Sequence, residues 1–266
     1  MKRTRRQTTG STRDDDRAVS DVLAFILVFG IILSSVALLA TVGFQSMRDY
    51  QEGEQLRNAE RAMEALAVNF DSVLRQDGVE KRYGELSLRE GTVSTGSSGT
   101  NLTILVDGNE LSGNAGNVTA DPIDLGEFTY ETGDTTIAYE GGGVVRAGET
   151  GSAVVKRPQL TCRPESDTVV ISVIAVDASD RSILSSDGIG VTMTERQRET
   201  QIEDGVTNVS VRLDTTYERA WNASLQRSGW ETTGSASGDI LATCEDTGSY
   251  QVDRVVITVV EADVNY

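Results

Sequence analysis

The segment Gly143-Val144-Val145-Arg146-Ala147-Gly148-Glu149-Thr150 carries the glycine spacing of a phosphate-binding loop, whose chemistry needs a lysine just before the final hydroxyl residue. Glu149 stands there instead and would repel phosphate, so the segment is expected to be a turn between strands. Histidine is absent, which removes the commonest general base and the commonest zinc ligand. The two cysteines, Cys162 and Cys244, are too few for a cysteine-based metal cluster. No Gly-x-Ser-x-Gly elbow and no twelve-residue calcium loop occurs. Some of the 41 Asp and Glu residues must be neighbours, which leaves paired-carboxylate catalysis conceivable, but a solvated acidic shell is the simpler expectation. No catalytic residue, cofactor or metal site is expected, and the chain reads as a non-enzyme.

The charge balance also points away from nucleic acid. Lys+Arg number 24 against 41 Asp+Glu, a formal net charge of −17 that repels phosphate backbones. Only Lys2, Lys81 and Lys156 are lysines, and this acid-rich, lysine-poor balance resembles proteins of salt-loving archaea.

Apolar residues are concentrated in one place. Val22 to Phe44 contains no charged residue. As a helix rising about 1.5 Å per residue it would extend roughly 34 Å, against a hydrocarbon core of about 30 Å. A core helix of that length would keep a polar face, and a secretory signal usually has an apolar region of about 7 to 15 residues, so a membrane span is expected. Lys2, Arg3, Arg5, Arg6, Arg13 and Arg17 precede it, whereas Arg48, Arg57 and Arg61 follow at comparable distance. That asymmetry predicts a single pass with the amino end in the cytoplasm and everything after about Gln45 outside.

At the cytoplasmic edge, Asp14-Asp15-Asp16-Arg17-Ala18-Val19-Ser20 sets charges directly before a small residue and the apolar run. This resembles the class III signal of archaeal type IV pilins and archaellins, which a membrane peptidase cuts on the cytoplasmic side. Haloarchaeal pilins commonly resemble Arg-(Ala/Gly)-Val-Ser-Pro at this point. Arg17-Ala18-Val19-Ser20 coincides with it, and Asp21 stands where Pro is expected. The resemblance implies cleavage between Ala18 and Val19 by a prepilin peptidase, retention of the apolar helix, and contact with other pilin-like subunits through that helix. It covers about residues 17 to 44 specifically and is only architectural beyond them. Asp21 would either meet a neighbouring subunit or sit in the headgroup layer, where a carboxylate is tolerated.

Gly30, Ser34, Ala37 and Thr41 fall on one face of the span, a small-residue seam of the kind that permits close helix approach in lipid, though ordinary membrane-helix composition produces the same pattern. Beyond it Leu56, Ala59, Met63, Leu66, Phe70 and Val73 recur at three and four residues, so the helix is expected to continue to about Arg75 and stop at Gly78, with Gly43 and Gly53 as points of weakness. The stripe is too short for a sustained coiled coil and is expected to pack on a head.

The remainder alternates β-type runs with turn residues. Strands are expected at Leu102–Val106, with a hairpin turn at Asp107-Gly108-Asn109, and at 127–131, 135–139, 153–156, 169–176, 189–194, 208–213 and 254–260. Thr215 and Glu218 suggest a capping box for a helix carrying Tyr217, Trp221 and Leu225 and stopped by Gly229. Ser94–Gly99 and Gly113–Gly116 read as surface loops. An even cysteine count in an outside domain favours a Cys162–Cys244 disulfide over two free thiols. Asn101, Asn117, Asn208 and Asn222 each begin an Asn-x-Ser/Thr sequon and are N-glycosylation candidates.

The resulting expectation is an α+β protein: a leader over 1–18, a transmembrane or filament-core helix over 19–44, an amphipathic extension over 45–78, and a β-rich extracellular head over 79–266. Two functions suit it. One is a type IV pilin-like surface subunit, a minor one given the size of the head; the other is a permanently anchored extracellular binding domain.

Overall fold

The computed structural model describes residues 12–76, 78–86, 91–97, 99–111, 122–163, 166–177, 179–185, 188–234, 239–245 and 252–266. The chain divides into two compact units, Met1–Glu54 and Gln55–Tyr266. Helix α1 (Thr12–Arg75) runs through both, helical at Gly43 and Gly53 as elsewhere. In the first unit the apolar run leaves every side chain exposed; Phe25, Ile31, Leu39 and Phe44 are each 68–71 % exposed. Mean hydropathy reaches 2.9 over 18 residues, none of them buried, so the helix is long and apolar enough to cross a membrane. Exposure on all sides sets it apart from the buried core helix of a soluble protein.

In the second unit the helix changes character. Ala59, Met63, Leu66, Ala67, Phe70, Val73 and Leu74 form a buried stripe, while Arg61, Glu64 and Val68 stay exposed. The stripe ends where Arg198 donates to the carbonyls of Val73 and, at 3.0 Å, Leu74, satisfying helix-terminal acceptors that would otherwise be orphaned. Gly78 follows with φ +85.

After the helix come β1 (Lys81–Leu86), β2 (Gly91–Gly96), β3 (Asn101–Val106), β4 (Asn109–Glu110), β5 (Ile123–Asp124) and β6 (Glu127–Thr132). Next are β7 (Thr135–Glu140), β8 (Gly143–Gly148), β9 (Gly151–Lys156), β10 (Gln159–Arg163), β11 (Thr168–Val176) and β12 (Arg181–Ser185). The chain closes with β13 (Ile189–Asp204), β14 (Asn208–Asp214), α2 (Glu218–Arg227), β15 (Glu231–Gly234), β16 (Asp239–Glu245) and β17 (Arg254–Asn265). They form three sheets: β1-β13-β17-β11-β10, β12-β2-β6-β7-β8-β9, and β15-β16-β14-β3-β4 with β5 also on β3. β11 and β17 pair in parallel, Thr168 opposite Arg254 through Val176 opposite Ala262, while the other pairings are antiparallel.

Strand alternation divides the core in two. Val169, Ile171 and Val173 of β11, with Val255, Ile257 and Val259 of β17, enter one cluster beside α2. Ile174 and Val176, with Val260, Ala262 and Val264, enter the other beside the α1 stripe. Along β17 the buried face changes midway, with half-buried Glu261 and Asp263 opposite Val260, Ala262 and Val264, and β11 is buried on both faces only from Val173 to Val176.

The expected α+β layout is present, and every expected strand lies in an observed one. Three expectations are corrected. Gly143–Gly148 is strand β8, paired with β7 and β9, because Val144 and Val145 are buried; only Glu149 and Thr150 turn. Ser94–Gly96 belongs to β2, held between β6 and β12 with Thr95 buried, a ladder that its small polar residues do not announce. The capping box does not form: α2 starts after Tyr217, and Thr215 Oγ1 accepts instead from the Tyr217 N–H at 3.0 Å. The Asp107–Gly108 turn is as expected, with φ of 48° and 77°, the paired positive values of a type I′ hairpin. Gly113–Gly116 lies outside the described residues.

Phe70 is fully buried within the α1 stripe. Phe70→Ala should lower the unfolding free energy by about 3–5 kcal/mol, whereas Val68→Ala on the exposed face should change it by less than about 0.5 kcal/mol. Urea unfolding of the full chain in detergent, followed by tryptophan fluorescence, measures both.

Candidate functional site

The sequence singles out the helix face first. Ala18 and Val19 lie within α1, though their side chains are outside the described residues. Asp21 is exposed at the start of the apolar run. Gly30, Ser34, Ala37 and Thr41 are all exposed along one face, and a Cβ added at Gly30 would meet nothing within 4 Å. Thr41 Oγ1 donates to the carbonyl of Ala37 at 3.1 Å or of Leu38 at 3.0 Å, so its hydroxyl is satisfied inside its own helix. The strip thus combines low relief with no unmet polar group at Thr41, which suits close contact with another helix in lipid.

In the head, Cys162 of β10 and Cys244 of β16 are disulfide-bonded, with Cα atoms 5.7 Å apart and a sequence separation of 82. The bond joins the first sheet to the third, and both residues are buried. The neighbouring backbone is close-set. Cys162 N donates to the Ser228 carbonyl at 2.9 Å, and a Cβ at Gly229, where φ is +92, would sit 2.3 Å from the Cys162 carbonyl oxygen. Gly229 therefore ends α2 and makes room for the bridge at once.

The sequons lie in different settings. Asn101 opens β3, and Asn208 opens β14 with its Oδ1 accepting from Ser210 Oγ at 3.1 Å. Asn222 is inside α2, where its Oδ1 accepts from Thr232 Oγ1 at 2.6 Å and Gln226 Nε2 at 3.1 Å. All three are half-buried, and Asn117 is outside the described residues.

Two buried polar clusters escaped the sequence reading. Asp71, 4 % exposed on α1, pairs with Lys156 Nζ of β9 at 3.0 Å and with Arg75 at 3.3 Å, while Lys156 also donates to the Gly142 carbonyl at 2.6 Å. Beside it the Tyr139 hydroxyl is buried without a hydrogen-bond partner among the described residues, and burial, then the charge of Asp71, push it well above the ordinary phenol range. The second cluster centres on Glu140, which receives donors from Thr100 and Trp221. The available signals were faint: Asp71 borders Phe70 in the apolar stripe, and Glu140 ends an alternating strand before three glycines. Among 41 acids neither stands out. On the surface, Asp107 accepts from the Thr207 N–H, the Thr207 hydroxyl and the Asn208 N–H, which hold its carboxyl below the usual range. Among the described residues no group of three or more Cys, Asp or Glu is arranged to hold a metal ion.

The chain belongs to the family of unknown function DUF7289, which it matches over residues 17–265. No curated protein matches it, and no solved structure does.

Replacing both cysteines by alanine should cost about 2–5 kcal/mol of head stability, read as a lower urea midpoint. Tyr139→Phe should have the opposite sign, leaving stability unchanged or raising it by about 1 kcal/mol, because it deletes a buried hydroxyl without a hydrogen-bond partner among the described residues. A large loss in Tyr139→Phe would mean that the phenol has a partner.

Proposed function

We propose that this family member is a type IV pilin-like, single-pass surface protein, made with its amino end in the cytoplasm and its head outside the cell. A prepilin peptidase would hydrolyse the Ala18–Val19 peptide bond, and the retained helix would serve first as membrane anchor and then as the contact with other pilin-like subunits. The observation that carries this reading is the two-part helix. From Val22 to Phe44 α1 is apolar with every side chain exposed, and without a break it goes on to supply the stripe from Ala59 to Leu74 that the head buries. A secretory signal cut after the span would separate the apolar run from the stripe, whereas a cut before Val19 removes only the residues from Thr12 to Ala18 and keeps the run and the stripe on one helix. The apolar face then needs lipid or other helices around it, since the hydrophobic effect opposes leaving it in water.

The disulfide supports an oxidising location for the head. The six cations before the span support a cytoplasmic amino end. Arg17-Ala18-Val19-Ser20 supports the position of the cut through its resemblance to archaeal pilin signals.

Mass spectrometry of the chain from its native host should find Val19 as the first residue, and Ala18→Phe should leave the leader attached. Shearing of cells should release the mature chain together with filaments. A mature chain that stays wholly in the membrane fraction would instead identify a permanently anchored binding domain, and an amino terminus beyond Phe44 would overturn both readings.

A further inference from the structure

Glu140 ends β7 where the chain turns through Gly141 and Gly142, and it is only 1 % exposed. Three parts of the head converge on its carboxyl group. Thr100, leading into β3, donates from its backbone N–H to Oε2 at 3.0 Å and from its hydroxyl to Oε1 at 2.8 Å. Trp221 of α2 donates from Nε1 to Oε1. Thr215, leading into α2, lies 2.7 Å from the Thr100 hydroxyl. No Lys or Arg forms an ion pair with Glu140 among the described residues.

The other titratable groups that face it are Glu127 of β6 and Tyr217 at the start of α2. They bond to each other, the Tyr217 hydroxyl donating to Glu127 Oε2 at 2.8 Å, and Glu127 adds a like charge. Thr100 and Trp221, which touch the carboxyl directly, are neutral. A full charge on Glu140 thus has hydrogen bonds but no counter-ion, in a setting where desolvation is costly. The hydroxyls accommodate either state. With Glu140 ionised, Thr100 donates to it; with Glu140 protonated, its own O–H donates to Thr100, whose hydroxyl turns to donate to Thr215.

We propose that Glu140 is a proton-operated latch: protonated, it locks α2 and the entry to β3 onto the end of β7, and ionised, it loosens that junction so that the head opens locally there. Burial is the main cause that raises its carboxyl to about 7 in the closed head, against 4.5 when exposed. The closed form therefore holds an extra proton between those values. The latch is fully engaged below about 4.5 and is lost as pH climbs through 7, so each pH unit between them favours opening by up to about tenfold.

The indole N–H of Trp221 reads the latch directly in the full chain, labelled at tryptophan with nitrogen-15 and held in detergent. Trp230 is an internal control, because its Nε1 donates to the Leu160 carbonyl at 3.2 Å, a group that cannot titrate. The Trp221 resonance should shift with a midpoint within about one unit of pH 7 while Trp230 stays still. In E140Q the shift should vanish, and in E127Q it should persist with a lower midpoint. Hydrogen exchange of α2 amides, corrected for intrinsic rates, should accelerate up to about tenfold per pH unit between 5 and 7 in the natural chain. A Trp221 resonance that is flat from pH 5 to 9, that titrates near pH 4, or that loses its titration in E127Q would overturn the proposal. The natural chain and E127Q decide the matter even if E140Q does not fold.

Discussion

A helix with two different surroundings is the constraint to which the rest of this protein answers. The hydrogen bonds of α1 pass from Thr12 to Arg75 without interruption, but the side chains demand different environments along the way. From Val22 to Phe44 apolar groups point in every direction and are exposed among the described residues. From Ala59 to Leu74 they point one way and complete a protein core. Such a helix is stable only if something other than water meets its first half, while its second half holds the head together.

The head meets its side of the constraint by building a core on each face of one sheet. β11 and β17 send the buried side chains of their first halves into a cluster that includes α2, and add from their second halves to a cluster that includes α1. The stripe on α1 therefore shares two strands with the far core, and the disulfide between β10 and β16 ties that far core to the third sheet. Polar groups enter where these layers meet: Asp71 with Lys156 between α1 and β9, Arg198 at the last carbonyls of α1, and Glu140 between β7 and α2. Each is almost fully hydrogen-bonded, as low-dielectric surroundings require, with the Tyr139 hydroxyl as the exception.

Much of this was readable from residues alone. The span, the stripe, the end of α1 near Arg75 and the turn at Asp107–Gly108 are local, since periodicity and glycine chemistry act over a few residues. The strands that were missed are short or rich in glycine, serine and threonine, as in β2 and β8, where pairing with distant segments supplies what propensity does not. Thr215 shows the same limit at smaller scale: its spacing from Glu218 fits a cap, but the hydroxyl is held two residues on and by Thr100, far away in the chain.

The sequence by itself determined that the chain has an uncharged helix long enough for a bilayer, an amphipathic continuation and an acidic β-rich head, because those properties follow from composition and short-range period. Only the tertiary structure decided the strand order and which of the many acids are buried. Asp71 and Glu140 differ from their exposed counterparts in nothing but their neighbours, and those neighbours are brought from up to 85 residues away by folding, as Lys156 is to Asp71.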